Sequence, residues 1–330
     1  VSVSTEQELA QAVAMLRRGG LVVFPTETVY GLGADAERPA AVRRVYEIKG
    51  RPADHPLIVH IGEAAELPQW AREVPRPALE LAAAFWPGPL TLVLKRSLRV
   101  PLLTTGGLDT VALRVPAHPL ALELLRRFEG GIAAPSANRF GRVSPTRAEH
   151  VRADLGGGLD PATDTILDGG PCSVGVESTI VDLSGEVPIL LRPGGVTSEA
   201  IESVLGRELA RSVKPGTRAP GRLDQHYAPE ARVELISREG LPTRTRELLA
   251  ASERVAVLVH TPEEAALLPE GALMISLGER EELVANKLYG ALRDADARAS
   301  VILVTPPAPR GLGEAIADRL QKAAGSAALK

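Results

Sequence analysis

The chain has 330 residues, more than one core usually serves, so two domains are expected, and 45% hydrophobic residues give ample core. Its 38 Lys and Arg against 41 Asp and Glu leave a formal net charge of −3, which excludes bulk positive charge as a grip on a long polyanion but leaves room for a local basic cleft. One cysteine, Cys172, excludes an internal disulfide, and no apolar run approaches the roughly 20 residues that cross a bilayer. The opening Val1-Ser2-Val3-Ser4-Thr5-Glu6 has neither the basic nor the apolar region of an export signal, so a soluble, cytoplasmic protein with no membrane partner is expected.

In chain order, Thr5-Glu6-Gln7-Glu8 reads as a capping box ahead of Leu9, Ala12, Val13 and Leu16, which predicts a helix to about Arg18, ended by Gly19-Gly20. Leu21 to Phe24 reads as a buried strand that Pro25 stops by removing a backbone donor. Thr26, Glu27 and Thr28 then put three hydrogen-bonding side chains at a strand end, and Gly31 and Gly33 are expected to let the backbone turn or approach a ligand. A helix carrying Val42, Val45, Tyr46 and Lys49 ends at Gly50, which Lys49 and Arg51 straddle. Pro52 bars further helix, and Leu57-Ile58-Val59 begins a strand that carries His60.

A helix is expected from Ala78 to Phe85, then the breaker Trp86-Pro87-Gly88-Pro89 and a strand from Leu90 to Leu94. Val111 to Val115 is a strand bearing Arg114, and a helix from Pro119 to Phe128 leads to Ile132-Ala133-Ala134 and directly to Pro135-Ser136-Ala137-Asn138. Glu177 to Asp182 and Ile189 to Gly194 read as two closing strands. Strands alternating with helices argue for an α/β layer, whose sites form just past strand ends.

From about Gly206 to Pro229 the periodicity disappears among Pro215, Gly216, Pro220 and Gly221, which predicts a long linker with a functional role as a lid. Beyond it, strands at 233–236, 255–259, 273–275 and 301–304 alternate with helices at about 242–251, 262–267, 281–293 and 313–323. That pattern predicts a smaller, doubly wound Rossmann-like α/β domain. The expected division is therefore 1–207, a linker at 208–230, and 231–330.

Most standard chemical motifs are missing. There is no P-loop, no His-Glu-x-x-His and no paired-cysteine zinc spacing. Gly311-Leu312-Gly313 opens a helix but has Ile316 where a dinucleotide fingerprint needs a small residue, and Gly156-Gly157-Gly158 reads as a turn. Cys172, with no neighbouring cation, reads as a small buried hydrophobe. What is left is a set of cations and polar groups at strand ends: Thr26, Lys49, Arg51, His60, Arg114, Ser136, Asn138, Ser178 and Arg192. Taken singly these are a surface charge, a turn serine or a structural histidine. Taken together they suit a compact polyanion such as a triphosphate, because charge-assisted hydrogen bonds are the strong ones. The residues alone thus reach an α/β protein with an anionic, nucleotide-like ligand.

Pro25-Thr26-Glu27-Thr28-Val29-Tyr30-Gly31-Leu32-Gly33, Lys49-Gly50-Arg51, Ser136-Ala137-Asn138, Glu177 to Asp182 and Leu191-Arg192-Pro193-Gly194 resemble the hallmark segments of the YrdC-like family, which contains the L-threonylcarbamoyladenylate synthases. The His226-Tyr227-Ala228-Pro229 segment and the second α/β domain resemble its longer, two-domain branch. One stretch departs from the pattern: Arg222-Leu223-Asp224-Gln225 stands where many relatives carry a Met-Lys-Tyr-Lys/Arg-like run. The resemblance implies a nucleotidyltransferase for which ATP, L-threonine and bicarbonate are substrates and threonylcarbamoyl-AMP and pyrophosphate products. Downstream threonylcarbamoyl-transfer proteins would use the adenylate to modify tRNA.

By matching motif positions, the resemblance implies that Lys49 and Arg51 act on the phosphates and the developing charge. Thr110, Ser136, Asn138, Ser144, Arg192 and Tyr227 would hold ATP, and Thr26, His60, Arg114 and Ser178 would hold threonine. Mg2+ is expected to arrive on the ATP phosphates, with no metal site in the protein. Two other classes remain for comparison. A non-enzymatic RNA-binding module would use a basic concave face, against which stand the acidic net charge and an aromatic content of 3%. A hydrogenase-maturation carbamoyltransferase shares a YrdC-like domain but needs zinc-finger and acylphosphatase modules that these 330 residues do not contain.

Overall fold

Apolar residues recurring at helical spacing produce α1 (Glu6–Arg17), which buries Leu9, Ala12, Val13, Met15 and Leu16 and ends one residue before the expected Arg18. The computed structural model describes residues 6–211 and 227–325; Thr5 of the expected capping box and residues 212–226 of the expected lid lie outside them. The described residues fall into two units, one of 6–140, 145–173 and 177–211, the other of 141–144, 174–176 and 227–325.

The first unit is built on a mixed, ten-stranded sheet. Its strands are β1 (Val22–Phe24), β2 (Gly31–Asp35), β3 (Ile58–His60), β4 (Leu90–Lys95), β5 (Thr110–Arg114), β6 (Ile132–Ala133), β7 (Thr165–Ile166), β8 (Thr179–Asp182), β9 (Ile189–Arg192) and β10 (Ala210–Arg211). They lie side by side in the order β10-β9-β8-β4-β5-β3-β6-β2-β1-β7. The period-two alternation of a strand decides which layer each residue joins. In β1, Val22 and Phe24 pack with α1 and α5 (Pro119–Phe128), while Leu21 and Val23 join the main core with Val42 and Val45 of α2 (Pro39–Lys49).

The same alternation prepares a polar face. Val59, Leu92, Leu94, Val111, Leu113 and Val181 enter the main core, and Ile58, Val93, Ala112, Ile180 and Leu191 form a small cluster on the other side. Two residues before or after members of that small cluster come His60, Thr91, Thr110, Arg114 and Ser178, so they share its face.

Two expectations are corrected here. Gly31 and Gly33 belong to β2 and make no turn. A Cβ on Gly33 would lie 2.6 Å from Ile132 Cγ2 and 2.8 Å from Phe24 Cε1, so the close approach is to the protein's own core. The loss of pattern after Gly206 is also not complete, because Ala210 and Arg211 pair in parallel with Ile189 and Leu190. Before it, α7 (Ser198–Leu205) forms without having been anticipated, with the Thr197 hydroxyl accepting from Ala200 N as its N-cap.

The second unit has a four-stranded, all-parallel sheet of β11 (Arg232–Leu235), β12 (Val255–Val259), β13 (Leu273–Ser276) and β14 (Val301–Val304), in the order β11-β14-β12-β13. Leu241 and Leu248 of α8 (Leu241–Ala250) cluster with Val255, Val257, Val259, Val301 and Leu303. Between those positions Ala256, Leu258 and Ile302 are also fully buried, which is why β12 and β14 read as unbroken apolar runs. The helices α9 (Pro262–Ala266), α10 (Glu281–Asp296) and α11 (Leu312–Ala324) complete the alternation expected from the sequence.

Candidate active site

The helix α2 ends because Gly50 adopts φ 62°, and the N–H of Arg51 returns to the carbonyl of Tyr46 at 2.9 Å. That stop aims the two flanking cations in different directions. Lys49 is buried, and its Nζ donates to the backbone carbonyls of Ser136, at 2.5 Å, and of Asn138. Burial first, then the nearby Arg51 charge, holds the amine well below the usual lysine pKa. An ammonium has three donors, so an anion approaching Lys49 finds a third one, and its charge opposes the downward shift. Arg51 donates through Nη2 to the carbonyl of Pro56 at 3.1 Å, and its guanidinium carbon sits 5.6 Å from the Phe140 ring centre. The Phe140 N–H donates to the Lys49 carbonyl at 2.8 Å, so the segment after Asn138 is laced to the end of α2.

A second group gathers at the C-terminal ends of β3 and β5, which pair in parallel with His60 opposite Arg114. Arg114 donates from Nη1 to Thr28 Oγ1 at 3.0 Å and from Nε to the Gly88 carbonyl at 3.2 Å. Its Nη2 lies 2.8 Å from Glu27 Oε1, and Glu27 Oε2 accepts from the Ala117 N–H at 3.0 Å. Thr26 sits just behind, its Oγ1 accepting from the N–H groups of Thr28 and Val29 and donating to the Val29 carbonyl at 2.7 Å. The Thr26 hydroxyl is therefore spent on shaping the turn, and Thr28 is the one that meets Arg114. His60 packs edge-on to Phe24 at 5.6 Å. Burial, then the Arg114 charge, pushes its pKa down to about 3, so the imidazole is neutral at physiological pH.

The third group joins Ser178 and Arg192. Arg192 Nη2 donates to the Ser178 carbonyl at 2.8 Å and to Ser178 Oγ at 3.2 Å, and Ser178 Oγ lies 2.8 Å from Thr91 Oγ1 on β4.

Backbone contacts tie the groups together. Gly31, at the end of the Thr26 turn, bridges to Ser136, and the Ala137 N–H donates to the Tyr30 carbonyl at 2.8 Å. On the other side, Gly88 holds Arg114 while the next residue, Pro89, accepts from the Thr179 N–H at 2.9 Å. Asn138 is buried, with its Nδ2 donating to the Arg139 carbonyl at 2.7 Å. Thr110 stands at the start of β5, half-buried and paired with Lys95, about 13 Å along the strand from Arg114 on the same face. Ser144 and Tyr227 belong to the second unit. There Arg293 Nε donates to the Ser144 carbonyl at 3.4 Å, and Tyr227, at φ 61°, stacks on Tyr289 with 5.7 Å between ring centres and takes the Arg319 guanidinium at 5.1 Å. Burial pushes the Cys172 thiol up, in keeping with an inert packed cysteine.

The structure adds Glu27, Thr28, Thr91 and the Gly88-Pro89 carbonyls to the candidate site. Glu27 and Thr28 were visible as polar groups past a strand end, but nothing local identifies Arg114 as their partner. Arg51, Arg114 and Arg192 are buried guanidinium groups, with Glu27 paired to Arg114, and groups of this kind suit anion recognition.

A family model described as telomere recombination matches residues 14–194, and one described as the C-terminal domain of threonylcarbamoyl-AMP synthase matches 196–325. The chain is 44% identical to a threonylcarbamoyl-AMP synthase of Pyrococcus abyssi, over 98% of its own length and 96% of the relative's. A threonylcarbamoyl-AMP synthase of Bacillus subtilis is likewise 44% identical, over 99% and 96%. Among solved structures, Sua5 of P. abyssi complexed with L-threonine is 42% identical and superposes with a TM-score of 0.90, covering 98% of this chain and 96% of that one.

Proposed function

The chain belongs to the two-domain, YrdC-like threonylcarbamoyl-AMP synthase family, and from that premise we propose that it condenses L-threonine, bicarbonate and ATP into threonylcarbamoyl-AMP and pyrophosphate. It is a transferase of tRNA modification, and L-threonine is its amino-acid substrate. The threonine nitrogen takes up bicarbonate to give a carbamate, with loss of water. A carbamate oxygen then attacks the α-phosphorus of ATP as pyrophosphate leaves. No covalent enzyme intermediate is required, so the work falls to positioning and to stabilising negative charge.

The observation that carries this reading is the buried Lys49 amine, clamped on the Ser136 and Asn138 carbonyls beside Arg51. That arrangement suits a polyphosphate, whose charge keeps Lys49 protonated and whose oxygens take its third donor. Thr110, Ser136, Asn138, Ser144, Arg192 and Tyr227 would complete the ATP contacts. Arg114, with Ser178 and the neutral His60, would hold the threonine carboxylate and hydroxyl, within a wall shaped by Thr26. Among the described residues no three carboxylate, imidazole or thiolate groups converge as metal ligands. Mg2+ would arrive on the ATP phosphates themselves, as part of that substrate. The adenylate would pass to separate threonylcarbamoyl-transfer proteins, and a cytoplasmic location fits this supply role.

The deciding assay is pyrophosphate release from ATP with threonine and bicarbonate each omitted in turn. Release that needs both, and that falls about a hundredfold or more in Lys49→Ala, the usual cost of losing a preorganised electrostatic donor, supports the assignment. Release independent of threonine would sink the reaction, and near-wild-type turnover of folded Lys49→Ala would sink the role of Lys49.

A further inference from the structure

Three buried polar atoms with no hydrogen-bond partner among the described residues sit on one group of side chains: Glu27 Oε1, Arg114 Nη2 and His60 Nδ1. The residues are 5%, 3% and 4% exposed, so water is not their ordinary partner. Glu27 Oε1 and Arg114 Nη2 are 2.8 Å apart, close enough for ion pairing, yet not aligned as donor and acceptor. Each therefore keeps an open hydrogen-bonding direction inside a buried site. The neighbouring atoms are engaged: Glu27 Oε2 accepts from Ala117, and Arg114 donates from Nη1 to Thr28 and from Nε to Gly88. Burying such groups without partners is costly, so folded proteins rarely do it, and a bound ligand is one thing that completes them.

A ligand that completes this pair needs an acceptor for Arg114 and a donor for Glu27, fixed a short distance apart. An α-amino acid zwitterion has that arrangement at its α-carbon. We propose that Glu27 is the specificity-determining residue for the α-amino group, its Oε1 accepting from the substrate nitrogen while Arg114 Nη2 donates to the substrate carboxylate. This rests on the assignment of Arg114 to the threonine carboxylate. The contact survives carboxylation, because the carbamate nitrogen keeps one N–H. It also gives a charge-based filter: an α-hydroxy acid brings the same carboxylate to Arg114 but no cation for Glu27, leaving two carboxylates facing each other in a low-dielectric site.

The test is calorimetric binding to the full chain of L-threonine and of its analogue with hydroxyl in place of the α-amino group, in wild type and in Glu27→Gln, with thermal melts as a check on folding. Glu27→Gln keeps an acceptor for Ala117 and removes the charge. It should weaken threonine binding about 10- to 100-fold, the worth of a hydrogen bond to a charged group, and leave the hydroxy-acid analogue unchanged or tighter. If Glu27→Gln does not fold, Glu27→Asp serves, with the same selective loss expected. Parallel loss of both ligands would show that Glu27 acts only through Arg114, and unchanged threonine affinity would show no contact; either overturns the inference alone. Wild-type protein that binds neither ligand would overturn the assignment of the site and the inference with it.

Discussion

His60 shows how far burial beside a cation moves a residue from its ordinary chemistry. Its pKa is about 3 in the folded protein against 6.5 for the free side chain, so between those values the unfolded chain binds more protons. The stability this contributes is fully present above pH 6.5 and is lost as the pH falls from there towards 3. Between about pH 7.5 and 5.5 the free energy of urea unfolding should fall by about 1 kcal/mol more in wild type than in His60→Gln, whose side chain does not titrate. Identical pH dependence in the two proteins would mean that the imidazole is not buried as a neutral group. His60 could be picked out from the sequence as a polar residue ending a strand, but its protonation state could not. That depends on the enclosure of the ring and on Arg114 in the neighbouring strand, which no local pattern encodes.

Elements were easier to read, because periodicity and caps are local. The helix Pro119–Phe128 and the strands Val255–Val259 and Val301–Val304 match their expected spans, and Gly50 ends α2 where the sequence places it. β2 is the instructive failure. Glycines at 31 and 33 break the usual strand composition, yet they are there because β2 is squeezed between β1 and β6. The two are not equivalent. A methyl on Gly33 meets Ile132 and Phe24 at 2.6 and 2.8 Å, whereas on Gly31 its nearest neighbour is the Ala134 Cβ at 3.2 Å. Gly33→Ala should therefore cost about 1–3 kcal/mol by overpacking, and Gly31→Ala distinctly less. Denaturation midpoints measured side by side test this, and an inverted order would refute the packing account.

At the scale of the whole molecule, the two units interleave along the chain, since 141–144 and 174–176 group with the C-terminal residues. A Cβ on Gly175 would lie 2.5 Å from the Asn286 Cα, so α10 and this short peptide approach backbone to backbone. On the same helix, Arg293 donates to the carbonyls of Val143 and Ser144. Ser144 is a proposed ATP contact, so Arg293→Met should raise the KM for ATP by several-fold while leaving that for threonine alone. The accompanying stability loss should be about 1–3 kcal/mol, the cost of orphaned buried carbonyls. Equal effects on both substrates, or none, would separate Ser144 from the nucleotide. By itself the sequence determined the α/β class, most element spans, the two-unit plan and the family-like segments holding Lys49, Arg51, Ser136, Asn138, Ser178 and Arg192. These follow from hydrophobic period, turn chemistry and short motifs, all properties of neighbouring residues. Only the tertiary structure decided that Glu27 pairs with Arg114, that Ser178 meets Thr91, that Thr26 spends its hydroxyl on its own turn, and that 141–144 group with the second unit. Those facts turn on which distant strands lie side by side and on how completely the fold excludes water, and both are settled only when the chain closes on itself.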